Sequence, residues 1–129
     1  MDYKKMYEEW LSNPYFEVVK PILVSGNQEA TNIVDGTYTA TAAIRNNSFT
    51  NGMSAQLIVA VYDGDALENC YFSEKEDVAV DGWYKKMTVN DIVLVNSVNK
   101  NYSVKLMMWD SLDGNLVPLC EAISYPVQN

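Results

Sequence analysis

The sequence contains no histidine, a single arginine, Arg45, and only two cysteines in 129 residues. The lack of histidine removes the usual general base, every Ser-His or Cys-His nucleophilic pair and the commonest transition-metal ligand. Nine Lys and Arg against seventeen Asp and Glu leave a net charge of −8, with nothing from which to build a phosphate-neutralising surface, so nucleic acid is not an expected partner. Cys70 and Cys120 are too few for a disulfide framework and lack metal-knuckle spacing. Both fall in expected strands with no cation beside them, which reads as small core residues, although a bond between the two stays open. No apolar run approaches the roughly 20 residues of a membrane span, and the densest stretch, 57–62, is strand-sized. The charged and aromatic start interrupts any signal-peptide core, leaving either an intracellular protein or one whose leader has been removed. The six glycines are isolated and none opens a helix, which excludes a phosphate-cradling loop. No cofactor is expected.

What is present describes a globular domain: 48% apolar, 20% charged and 12% aromatic residues in a chain long enough for a conventional core. Residues 2–11 place Tyr3, Met6, Tyr7, Trp10 and Leu11 at i, i+3, i+4, i+7 and i+8, a single apolar helix face with Lys4, Lys5, Glu8 and Glu9 opposite. Asp2 caps the start and Ser12-Asn13-Pro14 ends it. About three turns are marginal in water, so this helix is expected to dock, on its own domain or on a protein partner.

From Glu17 the period changes to two, and turn residues recur at the spacing of a β-sandwich. Seven or eight strands are expected. Residues 18–24 carry Pro21, which confines them to a sheet edge or a bulge. Residues 37–45 alternate, with Tyr38, Ala40, Ala42 and Ile44 on one face and threonines and Arg45 on the other. Residues 56–62 are apolar on both faces, as in a central strand. Further strands are expected over 67–72, 78–80, 84–95, 102–109 and 116–124. The chain thus divides into a helical appendage (1–16), an antiparallel sandwich (17–125) and a tail (126–129).

The segments Gln56-Leu-Ile-Val-Ala-Val-Tyr-Asp-Gly-Asp-Ala-Leu and Tyr102-Ser-Val-Lys-Leu-Met-Met-Trp-Asp-Ser-Leu-Asp-Gly-Asn-Leu-Val-Pro-Leu resemble the immunoglobulin or fibronectin-III-like accessory sandwiches of secreted Gram-positive bacterial proteins. Such modules accompany polysaccharide-degrading enzymes and surface-layer or cell-wall proteins. The resemblance spans residues 36–124. It implies an all-β, immunoglobulin-like antiparallel β-sandwich, an extracellular or cell-surface location, and a noncatalytic role as a spacer, adhesion or protein-association module. Residues 1–16, with Tyr7-Glu-Glu-Trp-Leu-Ser-Asn-Pro-Tyr-Phe, resemble the first helix of bacterial phosphohexomutases, whose phosphoserine loop and basic phosphate pocket have no counterpart here. Asp63-Gly-Asp-Ala resembles the start of their metal loop, but Leu67-Glu-Asn follows, and it reads as a hairpin turn.

In an immunoglobulin-like topology Asp35, Asp63 and Asp65 share one end, with Asp110 and Asp113 at the other. Ordinary turn chemistry accounts for the first three better than a calcium site does. The alternative function is a carbohydrate-binding module. Tyr62 and Trp109 fall on one outer face of neighbouring strands, Tyr71 extends the row, and an aromatic row of this kind stacks on the apolar side of a pyranose. The same face also suits the apolar side of the N-terminal helix.

Overall fold

A computed structural model describes residues 16–46, 53–79, 83–110 and 118–126. The expected helix over 2–11, and with it the docking face of Tyr3, Met6, Tyr7, Trp10 and Leu11, lies outside these. Among the described residues the elements are strands β1 (Phe16–Ser25), β2 (Gln28–Glu29), β3 (Gly36–Asn46), β4 (Met53–Asp63), β5 (Ala66–Phe72), β6 (Glu76–Val78), β7 (Lys85–Leu94), β8 (Tyr102–Trp109) and β9 (Ile123–Tyr125), with a 3-10 turn at Ser97–Asn99. All pairings are antiparallel. The first sheet has the order β2-β1-β3-β7 and the second β5-β4-β8-β9, with β6 beside the start of β4.

The two sheets enclose one core, because the period-two pattern turns alternate side chains inward. Tyr38, Ala40, Ala42 and Ile44 of β3 meet Leu57, Val59 and Val61 of β4 and Val104, Leu106 and Met108 of β8. Two tyrosines carry their hydroxyls inward with partners. Tyr38 Oη donates to the Val34 carbonyl at 2.7 Å and accepts from the Val34 amide at 3.0 Å. Tyr125 Oη, on β9, accepts from the Leu23 amide at 3.3 Å and donates to Glu29 Oε1 at 2.6 Å, tying the last strand of the second sheet to β1 and β2 of the first. Burial holds the Tyr125 hydroxyl protonated above its ordinary range.

Three bulges set the registers. Lys20 and Pro21 occupy the first, between the pairs Val19/Ala43 and Ile22/Thr41, on a stretch of β1 that β2 does not reach, so Pro21 removes no ladder bond. Asn90 and Asp91 of β7 oppose Thr39 alone, with Asp91 at φ 59 in the left-handed region that Asp tolerates. Glu68 of β5 is the extra residue between the pairs Val61/Asn69 and Tyr62/Leu67.

Several boundaries differ from the sequence reading. The short strand near residue 78 runs over Glu76–Val78, two residues earlier than expected. The last strand is confined to Ile123–Tyr125, with Pro118 making an isolated bridge to Trp109. Cys120 therefore lies outside any strand, although it belongs to the core. The proline-bearing stretch permits a bridge but not a continuous ladder. Asp113 lies outside the described residues.

Candidate functional site

The outer face of the second sheet can be assembled row by row from its register. Opposite Trp109 of β8 stands Gln56 of β4; above them Met107, Ile58 and Phe72 form one row, Lys105, Ala60 and Cys70 the next, and Ser103, Tyr62 and Leu67 the last. Ile58 and Ala60 are buried yet belong outside the inter-sheet core, whose β4 members are Ala55, Leu57, Val59 and Val61. Lys105 is the one charged residue in these rows. Phe72 and Leu67, at 50% and 57% exposure, leave the β5 edge of this apolar face open to water.

Tyr62 and Trp109 both lie on this face, but at its two ends. Trp109 pairs with Gln56 and Ser103 with Tyr62, six residues further along β4, a separation of about 20 Å at strand rise. One sugar ring cannot span it. Tyr71 does not extend the row: it pairs with Val59, packs against the inner core, and its hydroxyl accepts from Asn69 Nδ2 at 3.0 Å. The Glu68 bulge is the reason. Counting straight from the pair Asp63/Ala66 would set Tyr71 opposite Ile58 and Cys70 opposite Val59; one inserted residue reverses both. Cys70 is thus on the outer face rather than in the core, Cys120 is in the core, and both thiols are free. Desolvation raises the pKa of each thiol above its ordinary value, most directly for Cys70, and so works against the nucleophilic thiolate.

At the end where β3 begins and β4 finishes, the carboxylates brace a loop. Asp35 Oδ1 accepts from the Ser97 amide at 2.7 Å, and this bond holds its pKa below the usual carboxylate range. Asp63 Oδ1 accepts from the Asn101 amide at 2.9 Å, while Lys100 Nζ lies 3.7 Å from Asp63 Oδ2 and 2.5 Å from Glu68 Oε1. Asp35 and Asp63 therefore share an end, each committed to the 96–101 segment. Among the described residues no group of three or more Cys, Asp or Glu could hold a metal ion.

Sequence reasoning passed over a polar clasp on the outer face of the first sheet. Glu17 of β1 pairs with Arg45 of β3; Arg45 Nη2 donates to Glu17 Oε1 at 2.6 Å, Tyr84 Oη donates to Oε2 at 3.2 Å, and the guanidinium lies 4.9 Å from the centre of the Tyr84 ring. The opposite charges at 17 and 45 were a signal, but only strand pairing brings them together. Trp83 beside this clasp is 72% exposed.

No family model, curated protein or solved structure matches this chain.

Proposed function

We propose that the protein is a noncatalytic, immunoglobulin-like spacer or association module of a bacterial extracellular or cell-surface protein. One observation carries the spacer reading: the chain enters and leaves the sandwich at opposite ends. β1 starts at Phe16, opposite Asn46 at the finish of β3, whereas β9 ends at Tyr125 opposite Val104, toward the other end of β8. Units joined in series through such a fold string out end to end.

The fibronectin-III-like form of the reading is supported by the strand order, β1-β3-β7 facing β9-β8-β4-β5. It is also supported by Tyr102, at the start of β8, whose hydroxyl donates to the Val95 carbonyl seven residues upstream at 2.9 Å. A tyrosine bonded back across that corner is a hallmark of immunoglobulin-like sandwiches. The absence of histidine from the sequence and the raised thiol pKa values favour a role without chemistry. Association would use the apolar outer face of the second sheet, since exposed apolar patches of this kind mark interaction sites.

Two measurements test the proposal. Scattering from two copies fused tail to head is expected to show a maximum dimension longer by about 35 Å, the length of an eleven-residue strand, and a compact pair refutes the spacer reading. With Trp10 and Trp83 replaced by Phe, Trp109 fluorescence is expected to stay constant across a panel of polysaccharides. A saturable change would favour the carbohydrate-binding module instead.

A further inference from the structure

The open strand edges differ in how they are defended against a further strand. β1 is broken by the bulge at Lys20 and Pro21, β7 bears Lys85 and Lys86 before its own bulge at Asn90 and Asp91, and β9 is three residues long. β5 has neither Pro nor Lys, its one charge, Glu68, is paired with Lys100, and beyond the Glu68 bulge residues 69–72 run in regular register. We propose that Asn69 is an edge cap: its carboxamide closes β5 against the addition of a strand from a second copy of this chain. The proposal goes beyond the spacer reading and does not rest on it.

The ladder shows where the open backbone groups lie. In an antiparallel pair, residues that bond across alternate with residues that turn their amide and carbonyl away. Ser73, next beyond the pair Ile58/Phe72, donates its amide to the Leu57 carbonyl at 2.9 Å, so Tyr71 bonds across to Val59 while Phe72 and Cys70 turn their backbone groups to the open edge. There the Cys70 amide is met by Asn69 Oδ1 at 2.9 Å, and Asn69 Nδ2 donates to Tyr71 Oη at 3.0 Å. Tyr71 packs against the core, so its hydroxyl is an anchor that holds the carboxamide over the edge.

A second copy is the strand that this cap excludes. Two β5 edges are self-complementary: antiparallel about a two-fold axis, Cys70 of each stands opposite Phe72 of the other and the two exchange both backbone bonds. Seven residues without Pro or Gly, their one charge neutralised, are the kind of segment that pairs with itself, and the exposed Phe72 gains a cross-strand neighbour on doing so. The charge of −8 on each copy opposes approach, but its reach is about 8 Å at physiological salt, so contact at the edge is decided locally. An amide already bonded to Asn69 has to give that bond up before an incoming carbonyl can take it.

Amide exchange of the full chain, followed by NMR in dilute and in concentrated solution, reads the cap directly. In the wild type the Cys70 amide is expected to exchange slowly and the Phe72 amide fast, at both concentrations. Asn69 is exposed, so alanine there leaves the core untouched. In dilute Asn69→Ala the Cys70 amide is expected to exchange at least about ten-fold faster, with the Tyr71 amide, turned toward β4, unchanged as the control for folding. In concentrated Asn69→Ala the Cys70 and Phe72 amides are both expected to slow by about ten-fold or more while sedimentation equilibrium shows the mass double. Asn69→Asp keeps an oxygen for the Cys70 amide and is expected to behave as the wild type. An unchanged Cys70 rate in Asn69→Ala overturns the proposal. So does an Asn69→Ala protein that stays monomeric when concentrated, an association that leaves the Cys70 and Phe72 amides fast, or an Asn69→Asp protein that associates as Asn69→Ala does.

Discussion

On the first sheet the outward side chains are Thr37, Thr39, Thr41, Thr88, Asn90 and Lys86 interleaved with Val19, Ile22, Val24 and Val93, with Arg45 and Glu17 at one end; on the second they are Trp109, Met107, Ile58, Phe72, Ala60, Cys70, Tyr62 and Leu67, with Gln56, Lys105 and Ser103 among them. Both faces come from strands that alternate in the same way, and both back onto the same core. Alternation alone therefore does not make an interaction surface. The first face leaves Val19, Ile22 and Val93 exposed among its threonines and ends in a clasp in which one carboxylate holds a guanidinium and a phenol. The second face buries its centre, Ile58 and Ala60, and exposes Phe72 and Leu67 along its β5 edge.

The sharpest way to break this contrast is to place the same charge on each face. Ile58→Asp, on the buried central position of the second face, is expected to destabilise the fold by more than about 3 kcal/mol, because an unpaired carboxylate is forced out of water. Thr41→Asp, at a half-buried position in the middle of the first face, is expected to shift stability by about 0.5 kcal/mol or less. Urea denaturation measures both, and similar losses would erase the distinction.

A smaller effect is expected when the second face is rewritten in the style of the first. Phe72→Thr with Met107→Thr should lower stability by about 1–3 kcal/mol and reduce binding of an apolar fluorescent dye. The reciprocal exchange, Thr39→Val with Thr41→Val, should leave stability within about 0.5 kcal/mol while raising dye binding and concentration-dependent association.

The smallest effect belongs to the clasp. The Arg45 guanidinium, which donates to Glu17, holds that carboxyl below its ordinary pKa, with Tyr84 adding to the effect. A depressed folded-state pKa stabilises above the ordinary carboxylate value and loses that contribution as pH falls through the lowered one. The thermal midpoints of the wild type and Glu17→Gln should therefore differ slightly at pH 6, converge below the lowered value, and draw together in high salt because the pair is exposed.

Much of the sandwich was legible from residue order. The inward set of β3 follows from strict alternation, the buried centre of β4 from an unbroken apolar run, and the Pro21 bulge from a residue that cannot donate to a ladder. The shared end of Asp35 and Asp63 was legible too. The face of Tyr71 was not, because one bulged residue changes the parity of everything after it. Nor was the pairing of Glu17 with Arg45, separated by 28 residues and joined by a register that neither residue announces.

What residue order determined by itself is local: which side chains share a face of a strand, where the chain turns, and which chemistries lack their reagents. Periodicity and composition carry that information because neighbouring residues report their own backbone geometry. Only the tertiary structure decided which face looks outward, that Cys70 and Tyr71 exchange sides, and that Glu17, Arg45 and Tyr84 meet on one face. Those outcomes depend on registers between strands far apart in the chain, and a single inserted residue is enough to reverse them.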